Sequence, residues 1–167
     1  IRDSDCNGRS IITNTMGMRE MQMRIYKKYA SQYLLLKAPP ASGKSRALMF
    51  VALEKLRTGL VKKVIVAVPE RSIGKSFAST KLTENGFHTD WVVSRRYDLC
   101  TPGGEPMKTA AFAGFMDDNN EQILLCTHST LRFAYEKIGK GKFNDCLLAI
   151  DEFHHVSAEA DSKLGEL

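Results

Sequence analysis

The stretch Leu34-Leu35-Leu36-Lys37-Ala38-Pro39-Pro40-Ala41-Ser42-Gly43-Lys44-Ser45-Arg46-Ala47 decides how this 167-residue chain reads. Three consecutive leucines suit a strand buried on both faces, and the run of small residues and prolines after them suits a tight loop. Gly43-Lys44-Ser45 then opens a helical stretch over 44–56, in which Leu48, Val51, Ala52 and Leu56 form one apolar stripe. Thr58-Gly59 supplies its stop. A strand, loop and helix in that order aim backbone N–H groups and the positive end of the helix dipole at one point, which is an anion site. Gly43 lets the backbone approach phosphate oxygens with no Cβ in the way. Lys44 places an ammonium on the β- and γ-phosphates, and the Ser45 hydroxyl can ligate Mg²⁺. The pattern G-x-x-x-x-G-K-[ST] is met except at its first position, where Ala38 stands. An accidental Gly-Lys-Ser in an ordinary loop is the plain alternative. The buried strand before it and the helix after it weigh for a phosphate loop.

Working outward, short runs at 33–37, 63–68, 122–127 and 146–150 have Leu, Ile and Val at nearly every inner position. Continuous apolar runs of that length predict strands of a parallel sheet covered on both faces. Helical periodicity falls between them, over 72–84 with a stop at Asn85-Gly86, and over 129–138 with a stop at Gly139. Ahead of the first strand, residues 16–30 read as a helix with Met18, Met21, Ile25 and Tyr29 on one side, most simply a core-packing face. Val92-Val93 suggests a further short strand, and residues 98–118 carry no clear pattern. Strand and helix in alternation predict an α/β fold, a mostly parallel central sheet with helices on both faces, as one domain over 1–167.

The last strand runs straight into Asp151-Glu152-Phe153-His154-His155. Two carboxylates at the end of a buried apolar strand are costly unless a cation lies beside them. In open α/β sheets that edge is where ligands bind, and the phosphate loop leaves its own strand at the same edge. Asp151 can therefore hold the Mg²⁺ that Ser45 also ligates, and Glu152 can orient and deprotonate the water that attacks the γ-phosphorus. Acidic residues favouring a helix dipole would be the alternative. His154-His155 does not read as a metal site, since adjacent residues rarely point at one ion. His154 reads better as a polar contact that transmits nucleotide state.

Composition narrows the classes. Hydrophobic residues make up 43% and charged residues 26% of the chain, which is enough apolar content for a core and argues against disorder. No apolar run approaches the roughly 20 residues of a membrane span. A net charge of +5 permits an anionic partner such as nucleic acid without identifying it. Cys6, Cys100, Cys126 and Cys146 lack CxxC spacing, and Cys126 and Cys146 sit in apolar runs, so reduced thiols in a cytoplasmic protein are expected. The chain opens at Ile1 and shows no secretory signal, so a piece of a longer protein is expected.

Ala38-Pro39-Pro40-Ala41-Ser42-Gly43-Lys44-Ser45 with a later Asp151-Glu152-Phe153-His154 resembles the first RecA-like domain of superfamily 2 helicases and translocases of the DExH type. Within that group the helicase subunits of restriction enzymes are the most similar. Supporting segments fall in the family's order across 19–155. Arg19-x-x-Gln22 resembles the adenine-reading glutamine. Val66-Ala67-Val68-Pro69 followed by Glu70 and Arg71 resembles the segment that grips the nucleic-acid backbone, as does Cys126-Thr127-His128-Ser129-Thr130-Leu131. Gln22 as a surface residue, Pro69 as a strand end, and Thr127 and Ser129 as helix caps are the plain alternatives. The family usually has Gly at position 41 and Thr at 45, with Thr also common at 40.

The resemblance implies ATP and Mg²⁺ as cofactors. Nucleotide contacts would come from Gln22, Pro40, Ala41, Ser42, Gly43, Lys44, Ser45 and Arg46, metal contacts from Ser45 and Asp151, and catalysis from Lys44, Asp151 and Glu152. It implies coupling through His154 and nucleic-acid contacts at Pro69, Glu70, Arg71, Thr127 and Ser129. DNA is favoured over RNA as the partner. A second RecA-like domain would lie elsewhere in the parent chain, with nuclease or methyltransferase subunits as further possible partners. Rival readings are a nucleotide kinase or AAA+ ATPase, or a non-catalytic nucleic-acid-binding module with a relict nucleotide site.

Overall fold

The computed structural model describes residues 13–31 and 43–151. The expected strand at 33–37, the loop residues Pro40, Ala41 and Ser42, and Glu152, His154 and His155 lie outside them, as does Cys6. The ordered elements are α1 (Glu20–Tyr26), α2 (Lys44–Arg57), β1 (Lys63–Val68), α3 (Glu105–Asp117), β2 (Ile123–Thr127), α4 (His128–Ile138) and β3 (Cys146–Ile150). The strands pair in parallel in the order β2-β1-β3, with Val68 opposite Thr127 and Ala67 opposite Ile150. All three therefore end at one edge.

Side chains of β1 alternate between the two faces, and each face meets its own core. Val64, Val66 and Val68 pack with Phe50, Phe77, Leu82 and Trp91, on the side of α2. Ile65 and Ala67 pack with Phe112, Phe115, Leu131 and Ala134, on the side of α3 and α4. Helices thus cover both faces of a parallel sheet, which is the α/β arrangement expected from the apolar runs and agrees with the RecA-like fold that the resemblance implies. No helix among the described residues is long and apolar enough to cross a membrane. Cys100, Cys126 and Cys146 are free thiols, Cys126 being buried and Cys146 half-buried.

Several local expectations are corrected. The stretch 72–84 is not a helix. It forms two 3-10 turns, Arg71–Phe77 and Leu82–Asn85, separated by an antiparallel bridge between Thr80 and Trp91. Its hydroxyl groups compete with helical bonding: Ser79 Oγ accepts from Val93 N at 2.9 Å, and Asp90 Oδ1 accepts from both Thr83 N and Thr83 Oγ1. The stop at Gly86 holds, with a left-handed φ of 101°. Val92-Val93 is not a strand, and Val92 is 62% exposed. Sheet-like pairing occurs instead at Asp98, which bridges Leu125 in parallel beside β2. The patternless 98–118 region contains α3, started by Glu105 and Pro106 and anchored by buried Phe112 and Phe115.

The first helix is shorter than 16–30, because Asn14 folds the preceding residues into a turn. Its Oδ1 accepts from Met16 N and Met18 N, both at 2.9 Å. Met18 is buried but outside the helix, and Met23 and Tyr26 face the core where Met21 and Ile25 were expected. In α2 the buried face centres on Ala47, Phe50, Val51 and Glu54 (i, i+3, i+4, i+7), while Leu48 and Leu56 lie on its partly exposed margin.

Glu54 is the charged member of that buried face, with its side chain 3% exposed. It accepts from Arg57 Nε at 3.1 Å and from Arg57 Nη2, and His88 Nε2 lies 3.1 Å away. The Tyr26 hydroxyl bonds the same carboxylate, so one residue ties α1, α2 and the turn at 88 together. The Arg57 guanidinium, helped by Tyr26 and His88, holds the Glu54 carboxyl down at about 2, against 4.5 ordinarily. A depressed carboxylate contributes stability above its unfolded value and loses it as pH falls through the folded one. The contribution is therefore complete above pH 4.5 and fades towards pH 2. Glu54→Gln should lower stability by about 1–3 kcal/mol at pH 7 in urea unfolding. The gap from wild type should close as pH falls across that window, and a gap independent of pH would contradict this account.

Candidate nucleotide and nucleic-acid site

The carboxyl edge of the sheet gathers the site. β3 ends at Ile150, and Asp151 N donates to the carbonyl of Ala67 at 2.8 Å, which fixes Asp151 against the end of the central strand. Apolar Leu147, Leu148 and Ile150 commit the strand to the sheet, so the next residue emerges where the sheet stops. Asp151 is 8% exposed, a costly place for a carboxylate.

The compensating cation comes from α2. Lys44 Nζ lies 2.9 Å from Asp151 Oδ1, and the lysine side chain keeps 23% of its exposure. Oδ1 is nevertheless buried with no hydrogen-bond donor in line with it among the described residues. The ammonium is within ion-pair distance of it. The pair is thus an ion contact that leaves a carboxylate oxygen with unused capacity. A hard oxygen donor of this kind suits Mg²⁺, and Ser45, in the first turn of α2 next to Lys44, carries a second candidate oxygen. No group of three or more His, Cys, Asp or Glu residues that could hold a metal ion occurs among the described residues.

Gly43 begins α2 in the left-handed region, φ 85°. A Cβ at Gly43 would stand 2.5 Å from Gln22 Nε2, so close packing as well as conformation demands glycine. Gln22 is 1% exposed, which removes the surface reading of this residue. Its Oε1 accepts from Arg19 N at 2.8 Å, at the start of α1, and its Nε2 donates to the Gly43 carbonyl at 3.0 Å. Gln22 therefore holds the residue from which α2 starts. Arg46 is exposed and Ser45 half-buried.

The two segments expected to meet nucleic acid lie at the same edge. Pro69 follows β1 half-buried, and Glu70 and Arg71 are exposed at the start of the 3-10 turn after it. Thr127 is buried, and its hydroxyl caps α4 by accepting from Thr130 N at 3.3 Å, while Ser129 is exposed. Thr130 Oγ1 in turn donates to Glu105 Oε2 at 3.0 Å, linking the cap to the start of α3. Two positions were missed in the sequence. His128 Nε2 lies 2.8 Å from the carbonyl oxygen of Asp151, and Arg19 supplies the N–H that orients Gln22. The advance signals for His128 were its place within the family-like segment 126–131 and a polar ring directly after a buried strand.

Residues 19–166 match the family model described as DEAD/DEAH box helicase. Over 160 residues, 96% of its length, the chain is 60% identical to "Putative ATP-dependent helicase YeeB" of Bacillus subtilis (strain 168). It spans about a quarter, 26%, of that relative. No solved structure matches. A parallel sheet with a lysine-led helix and an acidic strand end meeting at one edge, together with a family match over nearly the whole chain, places this protein in the DEAD/DEAH box helicase family.

Proposed function

We propose that the chain is the first RecA-like, ATP-binding domain of an ATP-dependent nucleic-acid motor, in which hydrolysis drives movement along DNA in preference to RNA. The observation that carries this reading is the Lys44–Asp151 contact at 2.9 Å, which brings a phosphate-loop cation against a strand-end carboxylate. The likeness to a protein named as an ATP-dependent helicase supports it.

Lys44 and the backbone N–H groups at the start of α2 hold the phosphates, with Pro40, Ala41, Ser42, Gly43 and Arg46 completing the loop. Ser45 and Asp151 hold Mg²⁺, which when bound spreads the charge developing on the transferred phosphoryl group. Bound phosphate would compete with Asp151 for the Lys44 ammonium, and the Asp151 carboxylate would serve with Ser45 as a metal ligand. Glu152 orients and deprotonates the attacking water, and His154 relays the nucleotide state. Gln22 keeps the loop in place through the Gly43 carbonyl, and meeting the adenine would require its buried amide to turn outward from Arg19 N or Gly43 O. Pro69, Glu70, Arg71, Thr127 and Ser129 face the nucleic-acid backbone. A second RecA-like domain of the parent protein completes the site, and nuclease or methyltransferase subunits fit the restriction-enzyme likeness.

Lys44→Ala in the full-length protein should lower ATP turnover by about 10²–10³-fold or more, because it removes a charge aimed at the transition state. Normal turnover in this variant would sink the assignment. Stimulation of wild-type turnover by duplex DNA, single-stranded DNA or RNA should separate a motor from a small-molecule kinase, which is indifferent to all three. Calorimetric titration with Mg·ATP should detect binding, and its absence would favour a relict site.

Gln22→Ala removes both hydrogen bonds of the Gln22 amide, the one to the Gly43 carbonyl and the one from Arg19 N, each contributing about 1 kcal/mol, and should raise KM for ATP about tenfold or more. An unchanged KM would show that these bonds play no part in nucleotide binding. The isolated 167-residue chain should bind nucleotide weakly and turn it over slowly, because an arginine finger from a second domain is worth about 10³–10⁵ in rate. Brisk turnover by this chain alone would contradict a site shared between two domains.

A further inference from the structure

One contact joins the two chemical halves of the carboxyl edge. His128 is the first residue of α4, directly after Thr127, and its Nε2 lies 2.8 Å from the backbone carbonyl oxygen of Asp151. A carbonyl oxygen can only accept, so Nε2 carries the proton and donates. The N–H of Asp151 donates in the other direction, to Ala67 O at 2.8 Å. Asp151 is thereby held on both sides of its Cα, once by the central strand and once by a side chain from the β2–α4 turn.

The second hold lies outside the sheet's own hydrogen bonding. β3 pairs with β1, and β2 lies on the far side of β1, so His128 reaches past the end of β1 to a strand that its own strand never touches. The turn that carries it is itself stiff. Thr127 caps α4 through Thr130, and Thr130 is bonded to Glu105 of α3. A displacement of this turn is therefore passed on, through a side chain of few rotatable bonds, to the peptide unit that bears the Asp151 carboxylate.

We propose that His128 is a positioning residue that transmits engagement of the β2–α4 turn with the nucleic-acid backbone to the carboxylate of Asp151. This rests on the motor reading above. The N–H donor performs the task, so a glutamine, whose amide nitrogen extends about as far as Nε2, retains it. An asparagine is polar but too short, and loses it.

The test is steady-state ATP turnover by the full-length protein. Duplex DNA, single-stranded DNA and single-stranded RNA of mixed sequence are each tried at saturation, and the one that stimulates the wild type most is used for the variants. His128→Ala and His128→Asn should each lower the stimulated kcat about tenfold with KM for ATP within about twofold, the pattern of an interaction realised in the transition state. His128→Gln should recover most of the loss. If His128→Ala fails to fold, His128→Asn, matched to His128→Gln in polarity, carries the same comparison. Stimulated kcat at the wild-type level in His128→Asn, or His128→Gln no better than His128→Asn, overturns the inference while leaving the motor reading intact. A wild type that none of the three nucleic acids stimulates overturns the motor reading and this inference with it.

Discussion

A carboxylate 8% exposed at the end of an apolar strand is the constraint around which this fold is arranged. Burying Asp151 without a counter-charge would cost several kcal/mol, and the chain offsets that by bringing Lys44 within 2.9 Å. The contact ties two elements with no other reason to be in register, the first residue of α2 and the residue after β3. It can form because α2 is fixed elsewhere, through Phe50 and Leu53 against the sheet and through Glu54 to Tyr26 and His88. A well-packed hydrophobic pair of the same volume could hold the elements as tightly. What it could not do is leave a buried oxygen with unused capacity beside an ammonium that phosphate can draw away, and that combination belongs to a binding site rather than to a staple.

The parallel sheet makes this possible. Because β2, β1 and β3 run the same way, Thr127, Val68 and Ile150 end side by side, and the polar residues that follow each strand share one edge. The alternation along β1 buries Val64, Val66 and Val68 on one face and Ile65 and Ala67 on the other. Neither face is left for polar chemistry, which the apolar faces thus confine to the strand ends.

This division explains what the sequence disclosed. β1 and β3 were legible to the residue because an unbroken apolar run has one stable use, and the stops at Gly59, Gly86 and Gly139 were legible because each adopts positive φ. The 3-10 segment at 71–85 was not, because Ile73, Phe77 and Leu82 offer spacing close to helical while Ser79, Thr80 and Thr83 form bonds to partners at Val93, Trp91 and Asp90 that no local pattern reveals. α3 was hidden for the opposite reason: Phe112 and Phe115 anchor it within a run of small residues, and Met107, its most conspicuous apolar side chain after them, points to solvent. In the site, Lys44 and Asp151 were readable from local chemistry. Gln22 was readable only through family likeness, since its partner Gly43 is 21 residues away, and the contact of His128 was unreadable because its partner is the backbone carbonyl of the residue after β3, a strand that β2 does not touch.

Gln22 and His128 are the same device used twice. Each donates from a side-chain nitrogen to a backbone carbonyl, Gln22 to that of Gly43, immediately before Lys44, and His128 to that of Asp151. The two members of the central ion pair are thus steered through their main chains rather than through their charges, which leaves ammonium and carboxylate available to ligand. On the proposed reading, the two donors come from the segment that meets the base and from the turn that meets the nucleic-acid backbone. Occupancy at either place then reaches Lys44 or Asp151 by a single hydrogen bond. A net hydrogen bond contributes about 1 kcal/mol. That is too little to determine the fold and enough to change an equilibrium between two arrangements of the ion pair about fivefold. Side-chain donors on backbone carbonyls are therefore suited to coupling in this domain, and the ion pair they steer is suited to chemistry.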